Sequence, residues 1–349
     1  MDSLSQIVLG GAVGEAVLGR KVGNKAVVWG AIAGTIPDLD IVPSQFMEIV
    51  TRIEFHRSVT HSLLFAILMS PVLALLVRKI HAKSQASLVQ WAHLFFWSLF
   101  THALLDCCTT WGTQLFWPFS EYRIAWKNIS VVDPVYTIPF LIFLVAVMFK
   151  RKKDSARSVL NWAGLGISTF YLCLTFLNQQ IMTTNFKNEL NEQKINYSRI
   201  TLFPTIFNNI LWRGIAETDD GFYIGYASFF DEKIKPGFTF FPKNYNLLAH
   251  LPADSRLVRF PVITDGFYIL SKIDSAIVLS DLRFDQLAGW EFPDAPFIFN
   301  YRFQVDSEKK LKIIRARPSF DGKDAGQFFT SLTRRIKGAV GEKAENTGR

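Results

Sequence analysis

Hydrophobic and polar positions divide this chain into two parts with different patterns. Residues 1–182 are dominated by long apolar runs, whereas residues 185–349 are polar, aromatic and rich in turns. A helix that spans a bilayer needs about 20 predominantly apolar residues. The first part therefore predicts a membrane α-helical bundle, and the second predicts a separate α+β domain that is mainly antiparallel β.

About six helices are predicted in the first part. Four segments are apolar enough to be clear membrane helices: 59–78, 88–105, 133–149 and 159–181. The shorter segments 7–19 and 24–37 each contain two glycines four residues apart, Gly10/Gly14 and Gly30/Gly34. Glycines at this spacing let backbones approach closely, so these two segments are predicted to form a packed helical pair.

Positive charge alternates between successive loops and predicts an orientation. Three loops carry the basic clusters Arg20, Lys21 and Lys25; Arg78, Lys79 and Lys83; and Lys150, Arg151, Lys152, Lys153 and Arg157. Basic loops lie on the cytoplasmic side of membrane proteins. We therefore expect a multi-pass membrane protein, with loops 38–58 and 106–132 and the whole C-terminal domain outside the cytoplasm.

The net charge of +8 does not indicate nucleic-acid binding. Much of it lies in short loops between apolar runs and in the last thirty residues, and no RNA- or DNA-binding motif is present. This distribution is typical of membrane topology. We expect the lipid bilayer as the partner, and the three cysteines, Cys107, Cys108 and Cys173, as free thiols.

Acidic and histidine side chains gather at the helix ends that the charge pattern places outside. They are Asp38 and Asp40 after the second helix, His56 and His61 before the third, His102 and Asp106 ending the fourth, and Asp133 opening the fifth. His102 and Asp106 are four residues apart and project from one side of a helix. Imidazole nitrogens and carboxylate oxygens suit zinc or a similar divalent ion, and these candidates would serve one ion or two.

Each of these residues also has a structural interpretation. Asp133 precedes a proline, as helix N-caps often do. Asp38 and Asp40 could be turn residues, and His102 could be a core histidine. Arg57 either binds an anionic substrate group or extends towards lipid headgroups. Their convergence on one membrane face favours a site, because ionisable groups at membrane depth are costly and usually functional.

The same segments resemble the YdjM-like family of inner-membrane metal-dependent hydrolases. The matching pieces, over about residues 1–180, are "MDSLSQIVLGGAVGEAVLG", "GTIPDLDIV", "FHRSVTHSLLFA", "THALLDCCTTWGTQLFWPFS" and "ISVVDPVYTIP". The family is similar in broad terms to zinc phospholipase C proteins, helical enzymes that bind metals through His and Asp. In one departure, many members have a Thr-His pair where this chain has Ser5 and Gln6.

The resemblance implies a hydrolase that uses one or two divalent metal ions, with Zn²⁺ as the expected ion. The candidate ligands are Asp38, Asp40, His56, His61, His102 and Asp106. Asp40 and Asp133 are the candidate catalytic bases, and Arg57 is the candidate substrate-binding residue. A site at the membrane face favours an ester or phosphoester of a lipid or lipid-linked substrate. The alternative is a non-catalytic protein, in which a metal staples the helices that present the outer domain to a partner.

The second part predicts the domain 185–318, followed by an amphipathic helix and a disordered tail over 319–349. Segment 211–231 predicts a hairpin around Asp219-Asp220-Gly221, and further strands are expected within 276–287, 297–305 and 310–317. Segment 243–251 predicts a short helix. The apolar stripe of 326–340 either lies on anionic lipid or packs on the domain. This part has no convincing catalytic motif, so we expect a substrate-selecting cap or a module for packing or partner binding.

Overall fold

The computed structural model describes residues 1–274, 276–318 and 324–338. The chain divides into two compact units, Met1–Leu177 with Ile206–Asn208, and Asn178–Thr205 with Asn209–Arg349. The N-terminal part consists of apolar helices and the C-terminal part contains antiparallel sheets. The predicted fold class, a helical bundle followed by a mainly antiparallel β domain, is therefore confirmed.

Six long helices in the described residues build the N-terminal part. They are α1 (Ser3–Val22), α2 (Asn24–Ala33), α3 (Leu63–Ile80), α4 (Leu88–Cys107), α5 (Pro134–Met148) and α6 (Ser155–Glu192). Short helical turns, Pro37–Asp40, Ile41–Ser44, Ile49–Phe55 and Val59–His61, lie between α2 and α3. Four described segments are long and apolar enough to cross a membrane: Asn24–Ser44, Leu63–Ile80, Leu88–Cys107 and Ser155–Glu192. Helix α5, predicted over 133–149, is a shorter apolar helix of 15 residues.

Helices α1 and α2 pack backbone against backbone. A Cβ atom on Gly10 would lie 2.3 Å from the carbonyl oxygen of Gly30, and one on Gly30 would lie 2.2 Å from that of Gly10. No side chain fits at such distances, so the predicted close pair is confirmed. This contact places the end of α2, and the Pro37–Asp40 turn that follows it, beside the start of α1.

Helix α4 carries a wide buried face that packs on α1, α2 and α3. Trp91, Leu94 and Phe95 are among the apolar members of this face, and His102 and Asp106 continue it at the C-terminal end. The helical period therefore buries these two polar side chains by the same geometry that buries the core. His93, nine residues before His102 on the same helix, is exposed.

The C-terminal part contains two four-stranded antiparallel sheets. The first consists of β1 (Arg199–Pro204), β2 (Leu211–Glu217), β3 (Gly221–Ser228) and β4 (Gly237–Pro242), and the second of β5 (Tyr268–Ile273), β6 (Ala276–Asp281), β7 (Asn300–Val305) and β8 (Leu311–Ala316). The predicted hairpin is confirmed, with Glu217 opposite Phe222. The predicted helix over 243–251 is a 3₁₀-helix, Tyr245–His250, and the short helices Leu257–Arg259 and Phe260–Ile263 follow.

The amphipathic segment forms α7 (Asp324–Ile336). Leu332 is buried, Ser331 accepts a 2.8 Å hydrogen bond from the indole N–H of Trp290, and Arg335 forms an ion pair of 2.5 Å with Asp231. In the described residues this helix therefore packs on the domain, and contact with anionic lipid stays a prediction. The C-terminal end of the predicted stripe and the predicted disordered tail lie outside the described residues.

Candidate metal centre

Four of the candidate ligands converge in the helical unit. Asp38 lies in the turn after α2, His61 in the turn before α3, and His102 and Asp106 in the last turns of α4. One ligand atom from each lies within 4.8 Å of all the others. The side chains of His61, His102 and Asp106 are fully buried, whereas that of Asp38 is 24% exposed, so the cluster opens on the Asp38 side.

The spacing of the four atoms matches a small coordination sphere. The Nε2 atoms of His61 and His102 are 3.1 Å apart. They lie 3.2 and 3.5 Å from Asp106 Oδ2, and 3.4 and 3.7 Å from Asp38 Oδ1. Ligand atoms of a tetrahedral zinc ion, with bonds of about 2.0–2.1 Å, are about 3.3–3.4 Å apart. The observed separations bracket that value.

Hydrogen bonds outside the cluster determine which nitrogen of each imidazole faces it with a free lone pair. The Nδ1 atom of His102 lies 2.7 Å from the carbonyl oxygen of Gly34, which can only accept, so Nδ1 carries the proton. The neutral ring then presents the lone pair of Nε2 to the cluster. The Nδ1 atom of His61 lies 3.0 Å from the hydroxyl of Thr60. Two nitrogens that can accept and two carboxylate oxygens thus face one another, and a divalent cation would relieve their repulsion.

Asp106 divides its two oxygens between different partners. Its Oδ1 accepts a 3.0 Å hydrogen bond from the Gln6 amide and contacts the α-amino group of Met1. Its Oδ2, which faces the histidines, is buried and has no hydrogen-bond partner. A buried carboxylate oxygen without a hydrogen bond costs free energy, and the nearby Arg57 Nε, 3.1 Å away, is not aligned to donate one. The residues present therefore fit a divalent metal ion.

Asp40 and His56 form a separate pair beside the four-residue cluster. Asp40 Oδ1 lies 2.9 Å from His56 Nδ1, and Asp40 Oδ2 accepts from the backbone N–H of Arg57 at 3.0 Å and lies 3.7 Å from His61 Nδ1. His56 is packed edge-on against His61, with ring centroids 6.0 Å apart. These contacts support and orient His61. The ligand and base roles of this pair stay predictions.

Arg57 lies inside the protein. Its guanidinium donates to the hydroxyl of Thr109 at 2.7 Å, and its Nε lies 3.1 Å from Asp106 Oδ2 without hydrogen-bond alignment. The side chain is 5% exposed, so it does not extend towards lipid headgroups. Its φ of 60° is uncommon for a residue with a side chain. The contacts indicate that Arg57 balances the charge of Asp106, and its substrate role stays a prediction.

Asp133 lies at the start of α5, where it caps the helix. Its Oδ1 accepts from the backbone N–H groups of Val135 and Tyr136, at 3.0 and 3.2 Å, and its Oδ2 accepts from the Tyr171 hydroxyl at 2.8 Å. In the described residues it is not part of the four-residue cluster. The geometry thus matches the capping interpretation, and a catalytic role stays a prediction.

Two contacts that support the cluster were harder to predict from the sequence. Gln6, the position where the sequence departs from the expected family pattern, donates to Asp106 with its amide. Its Oε1 is buried without a partner. The bond between the His102 ring and the Gly34 carbonyl depends on the close α1–α2 pair, which only the glycine spacing indicated.

A second buried charged cluster lies elsewhere in the helical unit. Arg157 donates to both carboxylate oxygens of Glu15, at 2.6 and 2.5 Å, and to Asn24 Oδ1 at 2.8 Å. It also donates to the carbonyl oxygens of Val147 and Lys150. Glu15 is therefore the structural carboxylate of an ion pair that joins α1 to α6.

Comparison with known proteins agrees with the motifs and the helices. The family model described as "YdjM inner membrane protein" matches residues 1–182. The chain is 27% identical over 239 residues to "Uncharacterized protein YfhP" of Bacillus subtilis strain 168, covering 64% of this chain and 68% of that protein. It is 33% identical over 132 residues to "Inner membrane protein YbcI" of Escherichia coli K12, covering 35% of this chain and 74% of that protein.

No solved structure matches the chain significantly. The family match covers more than half of the chain and includes all four residues of the cluster. The apolar helices agree with the membrane location that the family description states. This chain belongs to the YdjM inner membrane protein family.

Proposed function

We propose that the protein is an integral-membrane, metal-dependent hydrolase that cleaves an ester or phosphoester of a lipid or lipid-linked substrate. The observation that carries this proposal is the convergence of Asp38, His61, His102 and Asp106 at the spacing of one coordination sphere. Because His56 and Asp40 pair with each other, four ligands remain for a single ion, and two imidazoles with two carboxylates suit Zn²⁺.

The proposed roles follow from the contacts. When bound, the ion supplies a Lewis acid and a water of lowered pKa. His61, His102 and Asp106 would hold the ion from the buried side, and Asp38 would hold it from the open side. Asp40 orients His61 and His56, and Arg57 compensates the charge of Asp106. A substrate would approach past Asp38, which is the partly exposed member of the four.

We place the site and the C-terminal part outside the cytoplasm, as the alternation of basic loops predicts. A reporter that is active only in the cytoplasm, fused after residue 349, should then be silent, and the same reporter fused within 150–153 should be active. Strong activity of the C-terminal fusion would overturn this orientation.

Hydrolysis is tested with the purified protein on a panel of glycerophospholipids and polyprenyl-linked phosphoesters. Turnover should disappear on chelation and return with Zn²⁺. Asp106→Asn should be inactive, because an amide is a poor ligand and carries no charge, whereas His93→Ala, on the exposed side of the same helix, should keep full activity. If the metal-loaded parent cleaves no substrate of the panel, the hydrolase proposal fails.

The burial of three ligands favours one alternative, a metal that staples the helices without catalysis. Structural zinc sites are closed, whereas catalytic sites keep an open position. Under this alternative, Asp106→Asn would lower the melting temperature and the metal content, and the metal-loaded parent would show no turnover. Lost turnover in a variant that still folds supports the hydrolase.

A further inference from the structure

A second polar cavity lies in the helical unit, away from the candidate metal centre. It has a volume of about 330 Å³ and is formed where α1 ends and α6 begins. Its lining includes Arg20, Lys152, Ser158, Asn161 and Trp162, together with the Glu15–Arg157 pair. The metal centre is near the opposite end of α1, where Gln6 contacts Asp106.

The charges of this cavity lining are mixed, with one more positive charge than negative, because Asp154 keeps its negative charge. Glu15 and Arg157 neutralise each other through two hydrogen bonds. Asp154 caps the start of α6, since its carboxylate accepts from the backbone N–H of Ala156 at 2.9 Å. Arg20 and Lys152 are exposed and, within the described part of the chain, form no ion pair. The cavity therefore offers two cations to an anionic ligand.

Asn161 adds a hydrogen-bond acceptor. It is only 2% exposed, and its Nδ2 donates to the carbonyl oxygen of Ala12 at 3.0 Å, which fixes the orientation of the amide. Its Oδ1 is buried without a hydrogen-bond partner. A buried acceptor without a donor is unfavourable. Asn161 lines the cavity, and a ligand hydroxyl that reached its Oδ1 would supply the missing donor.

Two features favour a lipid over a free anion. Trp162, beside Asn161, is 61% exposed, and exposed tryptophans are enriched at the membrane–water interface. The cavity also lies at the start of α6, one of the segments able to span a membrane. Acyl chains could therefore run along the apolar helix surface while the headgroup enters the cavity. Basic pockets between membrane helices are known to hold lipid headgroups.

We propose that this cavity binds an anionic phospholipid whose headgroup carries a free hydroxyl, of the phosphatidylglycerol class. The phosphodiester lies against Arg20 and Lys152, and the glycerol hydroxyl donates to Asn161 Oδ1. This assignment is independent of the hydrolase proposal, because it involves none of the residues of the metal centre.

Native mass spectrometry of the purified full chain tests the phosphate contacts. The parent should retain phosphatidylglycerol in preference to phosphatidylethanolamine and phosphatidylcholine. Arg20→Gln/Lys152→Gln should weaken that binding by on the order of tenfold. Arg151→Gln/Lys153→Gln removes the same charge from the same region outside the cavity lining and should leave binding unchanged. Equal weakening in both double variants, or equal retention of the three lipids by the parent, would overturn the site.

Two further measurements identify the ligand: a comparison of two lipids and a competition with inorganic phosphate. The parent should bind phosphatidylglycerol several-fold more tightly than phosphatidylmethanol, which lacks the headgroup hydroxyls, and Asn161→Leu should abolish this preference. Arg20→Gln/Lys152→Gln should bind both lipids weakly and keep the preference. Millimolar inorganic phosphate should not displace the lipid. Complete displacement by phosphate would show a free-anion site, and a parent without preference between the two lipids would remove Asn161 from recognition.

Discussion

The helical unit buries two charged clusters that differ in how completely their hydrogen bonds are satisfied. In the first, the Arg157 guanidinium donates hydrogen bonds to both carboxylate oxygens of Glu15. It also donates to Asn24 and to two backbone carbonyl oxygens. In the second, two imidazole nitrogens and two carboxylate oxygens face one another, and Asp106 Oδ2 has no partner. Burial alone would not separate these clusters. The balance of donors and acceptors indicates that the first is complete, whereas the second, although Arg57 lies beside Asp106, lacks a cation at the point where its four ligand atoms meet.

The largest effect is expected from breaking the complete cluster. Arg157→Met leaves the Glu15 carboxylate buried without its partner and should cost about 3–5 kcal/mol of stability. Arg20→Met, which removes an exposed cation nearby, should cost far less. Thermal or denaturant unfolding in detergent measures both. A similar small loss of stability in the two variants would contradict a structural role for the Glu15–Arg157 pair. Any Arg157→Met protein that folds should keep the metal content of the parent.

Metal binding at the incomplete cluster should stabilise the folded protein. At a free Zn²⁺ concentration 100 times the Kd, the parent should be stabilised by about 2.7 kcal/mol relative to the chelated protein. His61→Ala loses a buried ligand and should gain little. Unfolding curves with Zn²⁺ and with chelator measure the difference. Identical curves for the parent in both conditions would show that the cluster does not need a cation.

A substitution at Asp40 tests whether the Asp40–His56 pair supports the four-residue cluster. Asp40→Asn weakens the contacts to His56 and to the Arg57 backbone without removing a member of the four, so metal affinity should fall by about 10–100-fold. Competition with a chromogenic chelator gives the affinity. Asp154→Asn, a change at another carboxylate that accepts from a backbone N–H, should leave the affinity unchanged. A complete loss of metal in Asp40→Asn would instead make Asp40 a ligand.

The smallest effect is expected at Asp133. Asparagine caps helices about as well as aspartate, so Asp133→Asn should change stability by less than about 0.5 kcal/mol and keep turnover. Melting temperature and hydrolysis are measured together. Lost turnover at an unchanged melting temperature would return Asp133 to the site as a base or ligand.

Much of the site could be predicted because membrane sequences constrain polar groups strongly. The four-residue spacing of His102 and Asp106, together with the helical period of α4, was enough to place both on one buried face. The division of the six candidate ligands into four and two was not predictable. It depends on the turns Pro37–Asp40 and Val59–His61, whose side-chain directions no periodic pattern determines.

The fold shows the same distinction. The hairpin of β2 and β3 was predicted because its turn residues lie between alternating strands. The strands β1, β4 and β5 were not individually predicted, since their pairing partners, rather than a local turn signal, define them. Arg57 lies beside Asp106, a residue far along the chain, and no local sequence pattern predicts such a contact.

The most direct test of the central claim is the metal content of two single variants on one helix. The parent and His93→Ala, purified without chelator, should each carry about one divalent ion per chain, as expected for a four-ligand site. His102→Ala should carry far less, because it removes one of the four converging atoms. Elemental analysis of the three proteins gives the answer. Equal metal content in all three would contradict a metal site at the Asp38–His61–His102–Asp106 cluster.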